Sequence, residues 1–248
     1  GVIERNLTQP GRTAEVEGVG GLIPFDIRLG RLRLADDAGT WLEVDGARVD
    51  LSPSDLLTGR IVVRSAGAER VRVERLPEAA PTVEEPTPSE PFALPRLPDT
   101  LPVVVAERLY VDALELGPAV AGQEARFRLD GGIRTSPSGE ALDASLDLVR
   151  TDADTARATL RAALDLASQS VDLALQASES GGLVAGLTGR PEADPVAADL
   201  PVRGPFSAVA GRLTANAGQI AELAADLELA LVDQPSIALD GALTVAEG

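Results

Sequence analysis

Leu142-Asp143-Ala144-Ser145-Leu146-Asp147-Leu148 alternates apolar and polar residues without a break. A period of two over this length describes a β-strand with one sheltered face and one face in water. The pattern returns further on. Val171, Leu173, Leu175 and Ala177 alternate with Asp172 and Gln176, and Ile237, Leu239, Leu243 and Val245 flank Gly241. Ser136-Pro137-Ser138-Gly139 reads as a hairpin turn between the runs 127–133 and 142–148.

Two segments are ambiguous. In 156–166 the apolar residues Ala158, Leu160, Ala162, Leu164 and Leu166 alternate, yet the stretch is rich in Ala, Arg and Leu. Residues 223–231 pose the same choice. Propensity favours helix, but the strict alternation of Leu227, Leu229 and Leu231 favours strand, and we read both as strands. Residues 182–188 read as a short helix before a loop at 191–195.

The region 1–76 is a separate β module in this reading. Phe25-Asp26-Ile27-Arg28-Leu29 alternates, Gly30 suggests a bulge, and Leu32 and Leu34 resume the pattern. Asp36-Asp37-Ala38-Gly39 closes a hairpin, after which residues 41–45 alternate until Gly46 and Ala47 break the run. Ser52-Pro53-Ser54-Asp55 is a helix start, with a capping serine, a proline at the first helical position and an acid where a capping box places one. Residues 61–63 and 71–74 read as two further strands. Eight prolines between 77 and 102 tolerate neither helix nor ladder, so this stretch is a Pro-rich acidic linker. Residues 103–248 then form the long repetitive β region.

The composition removes whole classes of function. The 248 residues contain no Cys, His or Met, and all basic residues are Arg. Without His there is no Ser-His-Asp triad, without Cys no thiol nucleophile, and without Lys no P-loop and no Schiff base. A metal site would need carboxylates alone. The best candidate, Asp36-Asp37-Ala38-Gly39, lacks the alternating ligands of a calcium loop and reads as a turn. Gly18-Val19-Gly20-Gly21 lacks the last glycine of a dinucleotide loop and reads as a flexible turn. Paired carboxylates could serve a glycosidase, but the acids alternate with apolar residues, as on a solvated sheet face. We therefore expect no catalytic residues, no metal, no cofactor and no enzymatic activity. A net charge of −17 repels phosphate backbones, so nucleic acid is not an expected partner. The missing Met, even at position 1, suggests a piece of a longer chain.

What remains is aliphatic surface. Aromatics are only 2% of the residues, so buried area must come from Leu, Val, Ala and Ile. Seven strand residues span ~23 Å, close to the length of one acyl chain. Transfer of such a chain from water gains ~0.8 kcal/mol per methylene, or ~10 kcal/mol in all. The candidate lipid-binding residues are Leu142, Leu146, Leu148, Leu160, Leu164, Leu166, Val171, Leu173, Leu175, Leu227, Leu229, Leu239 and Leu243. Periodicity alone fits an ordinary β-sandwich better than an open groove. The lack of aromatics and the Leu/Ala monotony pull toward the groove, and the missing aromatic girdles argue against a membrane barrel.

The region 18–77 resembles the N-terminal part of TamB-family proteins. The resemblance rests on Gly21-Leu22-Ile23-Pro24-Phe25, Arg28-Leu29-Gly30-Arg31-Leu32-Arg33-Leu34-Ala35-Asp36, Gly39-Thr40-Trp41-Leu42 and Leu51-Ser52-Pro53-Ser54-Asp55-Leu56-Leu57-Thr58-Gly59-Arg60. Ala68-Glu69-Arg70-Val71 and Arg75-Leu76-Pro77 complete it, while Gly204-Pro205-Phe206-Ser207, Gly211-Arg212-Leu213 and Ile237-Ala238-Leu239-Asp240-Gly241 resemble later repeats. The matching residues serve packing and turns. The resemblance implies a mainly β fold, an elongated, curved antiparallel or mixed β-sheet groove with one or two short helices. It implies a periplasmic segment, anchored to the inner membrane by an upstream helix, that carries phospholipid acyl chains between membranes. It also implies a TamA-like Omp85 outer-membrane barrel as partner of the full-length protein. Two other roles stay open: a chaperone-like module for assembly or secretion of outer-membrane β-barrel proteins, and a passive spacer. The Pro-rich linker departs from the family picture and puts a continuous groove in doubt at that point.

Overall fold

Alternation of the kind seen at 142–148 is satisfied only when neighbouring strands place their apolar rows on one side. The computed structural model does this with a single sheet. It describes residues 12–57, 60–77, 101, 103–152, 155–180, 182, 195–218, 221–232 and 236–245. Thirteen strands lie side by side in the order in which they occur in the chain, and the sheet is curved and open. They are β1 (Arg12–Glu17), β2 (Asp26–Asp36), β3 (Gly39–Leu51), β4 (Ile61–Val73), β5 (Val104–Leu116), β6 (Ala125–Thr135) and β7 (Ala141–Arg150). β8 (Ala156–Asp165), β9 (Ser170–Glu179), β10 (Val196–Pro205), β11 (Val209–Ala217), β12 (Ala221–Ala230) and β13 (Ser236–Val245) complete the sheet. Two short helices, α1 (Pro53–Leu57) and α2 (Pro118–Ala121), sit at opposite rims. No helix among the described residues is long and apolar enough to cross a membrane.

Adjacent strands are antiparallel except β4 and β5, which pair in parallel from Ile61↔Val104 to Val73↔Leu116. The sheet is therefore mixed, and it continues unbroken from the first region into the second. The parallel register puts Val73 at the α2 rim and Val104 at the α1 rim. The 77–102 stretch lies outside the described residues, apart from Pro77 and Leu101.

Both ambiguous segments are strands, as read. β8 pairs with β7 and β9 along its whole length, and β12 with β11 and β13. The ladders on both sides outweigh the helix propensity of Ala, Leu and Arg. Ser52 directly precedes α1, as read. The Ser52 hydroxyl donates to the Asp55 carboxylate, while the Ser52 N–H donates to the Val62 carbonyl rather than to the acid. Ser136 behaves as a turn residue should, with its hydroxyl oxygen accepting from the N–H groups of Glu140 and Ala141. The helix read at 182–188 falls outside the described residues, Gly182 excepted.

Two local readings are corrected. The two strands expected at 61–63 and 71–74 are one, β4. Gly46 and Ala47 do not end β3; Gly46 takes a positive φ of 62° in a gap of the ladder, and pairing resumes on both sides in the same register. Gly30 lies in the same gap, between Leu29↔Ala47 and Arg31↔Asp45, and the apolar row passes there from Ile27 and Leu29 to Leu32 and Leu34, as read; a register shift also falls between Leu34 and Ala35. Gly30 is needed because β1 approaches closely. Its N–H donates to the Gly18 carbonyl, and a Cβ there would lie 3.2 Å from the Glu17 carbonyl oxygen.

The packing is unusual for a chain of this hydrophobicity. The fully buried apolar residues are mostly alanines or lie near the rims, as Phe127, Phe206 and Val209 do. One cluster joins Ala121 of α2 to Ala125, Phe127 and Ala156, flanked by Leu114, Leu116 and Leu148. Most leucines in the middle of the strands stay half-buried, and Leu175, Leu239 and Leu243 are exposed. A sandwich would bury them completely against a second sheet; here the sheet has no second layer among the described residues.

Candidate functional site

Directly opposed residues in a ladder share a face, so the registers assign every side chain. Leu146↔Leu160↔Leu175↔Leu200 is one unbroken row across β7 to β10. Leu142↔Leu164↔Val171 runs beside it toward the α1 rim, and Leu148↔Ala158↔Ala177↔Ala198 toward the α2 rim. Ala162↔Leu173↔Val202↔Gly211↔Leu227↔Leu239 carries the same face to the last strand. Val209↔Leu229↔Ile237 and Leu223↔Leu243 complete it there.

All of the candidate residues but Leu166 thus share one face. Leu166 lies past the end of β8, in a turn, where its N–H donates to the Glu140 carbonyl. The strand alternation was simply extended one step too far. The first region adds rows that the candidate set omitted. Leu32↔Val44↔Val71↔Leu114 and Ile27↔Val49↔Ala66↔Leu109 lie across β2 to β5, and Leu114↔Phe127 joins them to β6. Leu200 and Val202 were also missed, because Pro201 and Pro205 disguise β10. Pro201 sits where the β10–β11 ladder has a gap, between Asp199↔Thr214 and Val202↔Gly211, so its missing N–H costs nothing there.

Twelve inter-strand spacings make this face about 58 Å long, perpendicular to the strands. Its long axis is therefore not the strand direction. Each strand instead runs from rim to rim across it.

The opposite face is charged. Asp45 accepts from Arg31 at 2.8 Å and lies 3.7 Å from Arg70. Arg70 lies 3.8 Å from Glu115, and both Arg72 and Arg126 reach Glu115 at 2.7 Å. The chain of ion pairs spans β2 to β6. Burial pushes the Glu115 carboxyl upward, but Arg72 and Arg126 outweigh it and hold the group below its ordinary value. A cavity of about 620 Å³ on this face is bordered by Arg134, Asp143, Arg161, Asp172 and Arg203. Ile133, Ala163 and Ala174 share the lining with these charged groups.

The apolar face ends in charge at the α2 rim. Arg150 follows Leu148 on the same face, opposite Phe127, and its Nε donates to Asp152 at 2.7 Å. The Arg150 hydrogen bond holds the Asp152 carboxyl below its usual range, against the effect of burial. Glu179 pairs with Ala156 on the same face. The charged rim leaves the alkyl surface in the middle and at the α1 side.

One layer of sheet, curved and open, aliphatic on one face and ion-paired on the other, defines a β-groove. The chain belongs to the YdbH-like family, whose model, described as intermembrane phospholipid transport protein YdbH, matches residues 2–243. That family is related to the AsmA/TamB-like lipid transport proteins, so the resemblance to TamB holds at this broader level and not for TamB itself. No curated protein and no solved structure matches the chain significantly.

Proposed function

We propose that this chain carries phospholipids between two membranes by sheltering their acyl chains on the apolar face. The observation that supports this most is the unbroken aliphatic face with no protein layer over it. A lone sheet leaves about 25 cal/mol unrealised for each Å² of apolar surface still in water, and an acyl chain recovers that energy. The face offers no directional polar contacts in its middle, so a bound chain has no fixed stopping point along the axis. An intermembrane path places this segment in the periplasm. Nothing in such transfer makes or breaks a covalent bond, so the carrier reading is non-enzymatic. The TamA-like partner and the barrel-assembly role stem from the TamB resemblance and gain no support from the family found. A spacer with a closed sandwich core conflicts with the open sheet.

The test is lipid analysis of the purified chain by native mass spectrometry, with Leu146→Asp alongside. We expect phospholipid masses on the native chain and their loss in the variant, with the β-sheet circular dichroism unchanged. A lipid-free native chain that binds no hydrophobic dye would overturn the proposal.

A further inference from the structure

The apolar face has relief, and the registers show where. Inward side chains of one row stand about 5 Å apart on neighbouring strands, while successive rows lie about 6.7 Å apart along a strand. Large side chains within a row therefore touch and form a ridge, and the furrows between ridges run across the strands. The row Leu146↔Leu160↔Leu175↔Leu200 is such a ridge. The β10–β11 register sets Leu213 opposite Leu200 and carries the ridge onto β11. The next row toward the α2 rim is Leu148↔Ala158↔Ala177↔Ala198↔Ala215↔Leu223. Four alanines in line thus lie beside five leucines, and a leucine stands at each end of the line. One row further on, Arg150, Glu179 and Val196 rise at the rim. That rim row lies four residues from the leucine ridge, about 13 Å. The furrow between them has a floor, two walls and two ends. On the other side of the ridge, Leu173 and Val202 interrupt the row Ala144↔Ala162↔Leu173↔Val202↔Gly211, so no clear run exists there.

We infer that this furrow holds one acyl chain of a phospholipid, stretched across β8 to β11, and that Leu148 and Leu223 set the chain length it takes best. The inference rests on the carrier proposal and adds to it the direction of the bound chain and a length preference. Five strand spacings separate Leu148 from Leu223, about 24 Å, which matches one extended acyl chain. A chain laid along a strand instead would have to ride over the ridge, at Leu160 on β8 or Leu175 on β9. In the furrow it meets alanine beneath and leucine along its side. The end leucines are apolar steps. They set where a chain rests, and a chain leaves by rising over a leucine side chain without breaking a polar contact.

The experiment uses a phosphatidylglycerol with a diazirine near each end of one acyl chain, loaded onto the native chain and irradiated. Every basic residue is Arg, so cleavage at arginine yields peptides 135–150, which holds most of β7, and 213–248, which holds β12. We expect one acyl chain to join these two peptides. Links within one strand or between neighbouring strands would overturn the inferred direction and leave the carrier proposal standing. No adduct on the inward face would overturn both. The end leucines are tested by competition among monounsaturated phosphatidylglycerols of graded chain length, read by native mass spectrometry. Leu223→Ala should shift the preferred chain upward by a length of ~4.8 Å, one strand spacing. Ala198→Leu fills the middle of the floor and should remove the link between the two peptides while single adducts persist. An unchanged length preference in the first variant, or an unchanged link in the second, would overturn the inference in a chain that still binds phospholipid.

Discussion

Glu115 holds the centre of the charged face, with Arg70, Arg72 and Arg126 around it. Its folded-state pKa is lowered, so its stabilising contribution is full above the unfolded value and is lost as pH falls through the folded one. For Glu115→Gln we expect a loss of about 1 kcal/mol at neutral pH and low salt. The gap between native and variant should be full above the ordinary Glu range and narrow only as pH falls below it, as urea titrations at several pH values would show. Phe127 works at the other face. It is 5% exposed and packs with Ala121, Ala125 and Ala156, small neighbours that leave its ring the main volume of the cluster. Phe127→Ala should cost about 3–5 kcal/mol in urea denaturation. The ring was visible in the sequence only as part of an apolar run. That it carries a rim could not be read, because α2 and β8 meet it only through the sheet order.

The strands show why some of this fold is legible and some is not. At 142–148 and 171–177 one face is apolar and the other polar, so period two stands out. At 156–165 composition and period disagree, and only the neighbours decide. A peptide of residues 156–165 should accordingly show no β signal alone and become helical in trifluoroethanol, by circular dichroism. A stable β spectrum of the isolated peptide would mean that the strand is intrinsic and not imposed by β7 and β9. β10 was illegible because two prolines obscure its alternation, and the ladder gap that tolerates Pro201 is a property of the pair β10–β11. Gly30 was legible as the point where the face changes, but the approach of Gly18 to it was not, because that contact comes from another strand end. In α1 the serine before the helix was readable directly, and Ser52→Ala, which removes a buried hydroxyl bonded to Asp55, should cost about 1 kcal/mol in the same urea titration.

At the scale of the molecule, the sequence conveys that apolar rows exist, and the topology decides what they become. Rows of this kind close into a sandwich when strands cross between two layers. Here each strand pairs with its neighbour in sequence, twelve times over, and no strand crosses to a second layer among the described residues. The parallel β4–β5 pair, which no alternation pattern signals, keeps the face continuous where the prolines suggested a break. The result is a long aliphatic face backed by ion pairs across β2 to β6.

The face assignment can be tested directly, since adjacent residues point opposite ways. A photo-reactive side chain placed at Leu146, Leu160 or Leu175 faces inward; one at Asp147, Thr159 or Gln176 faces outward. After irradiation in a cell envelope, we expect phospholipid adducts by mass spectrometry at the three inward positions and none at the three outward ones. Equal labelling of both sets, or adducts at the outward positions alone, would contradict a lipid-bearing apolar face.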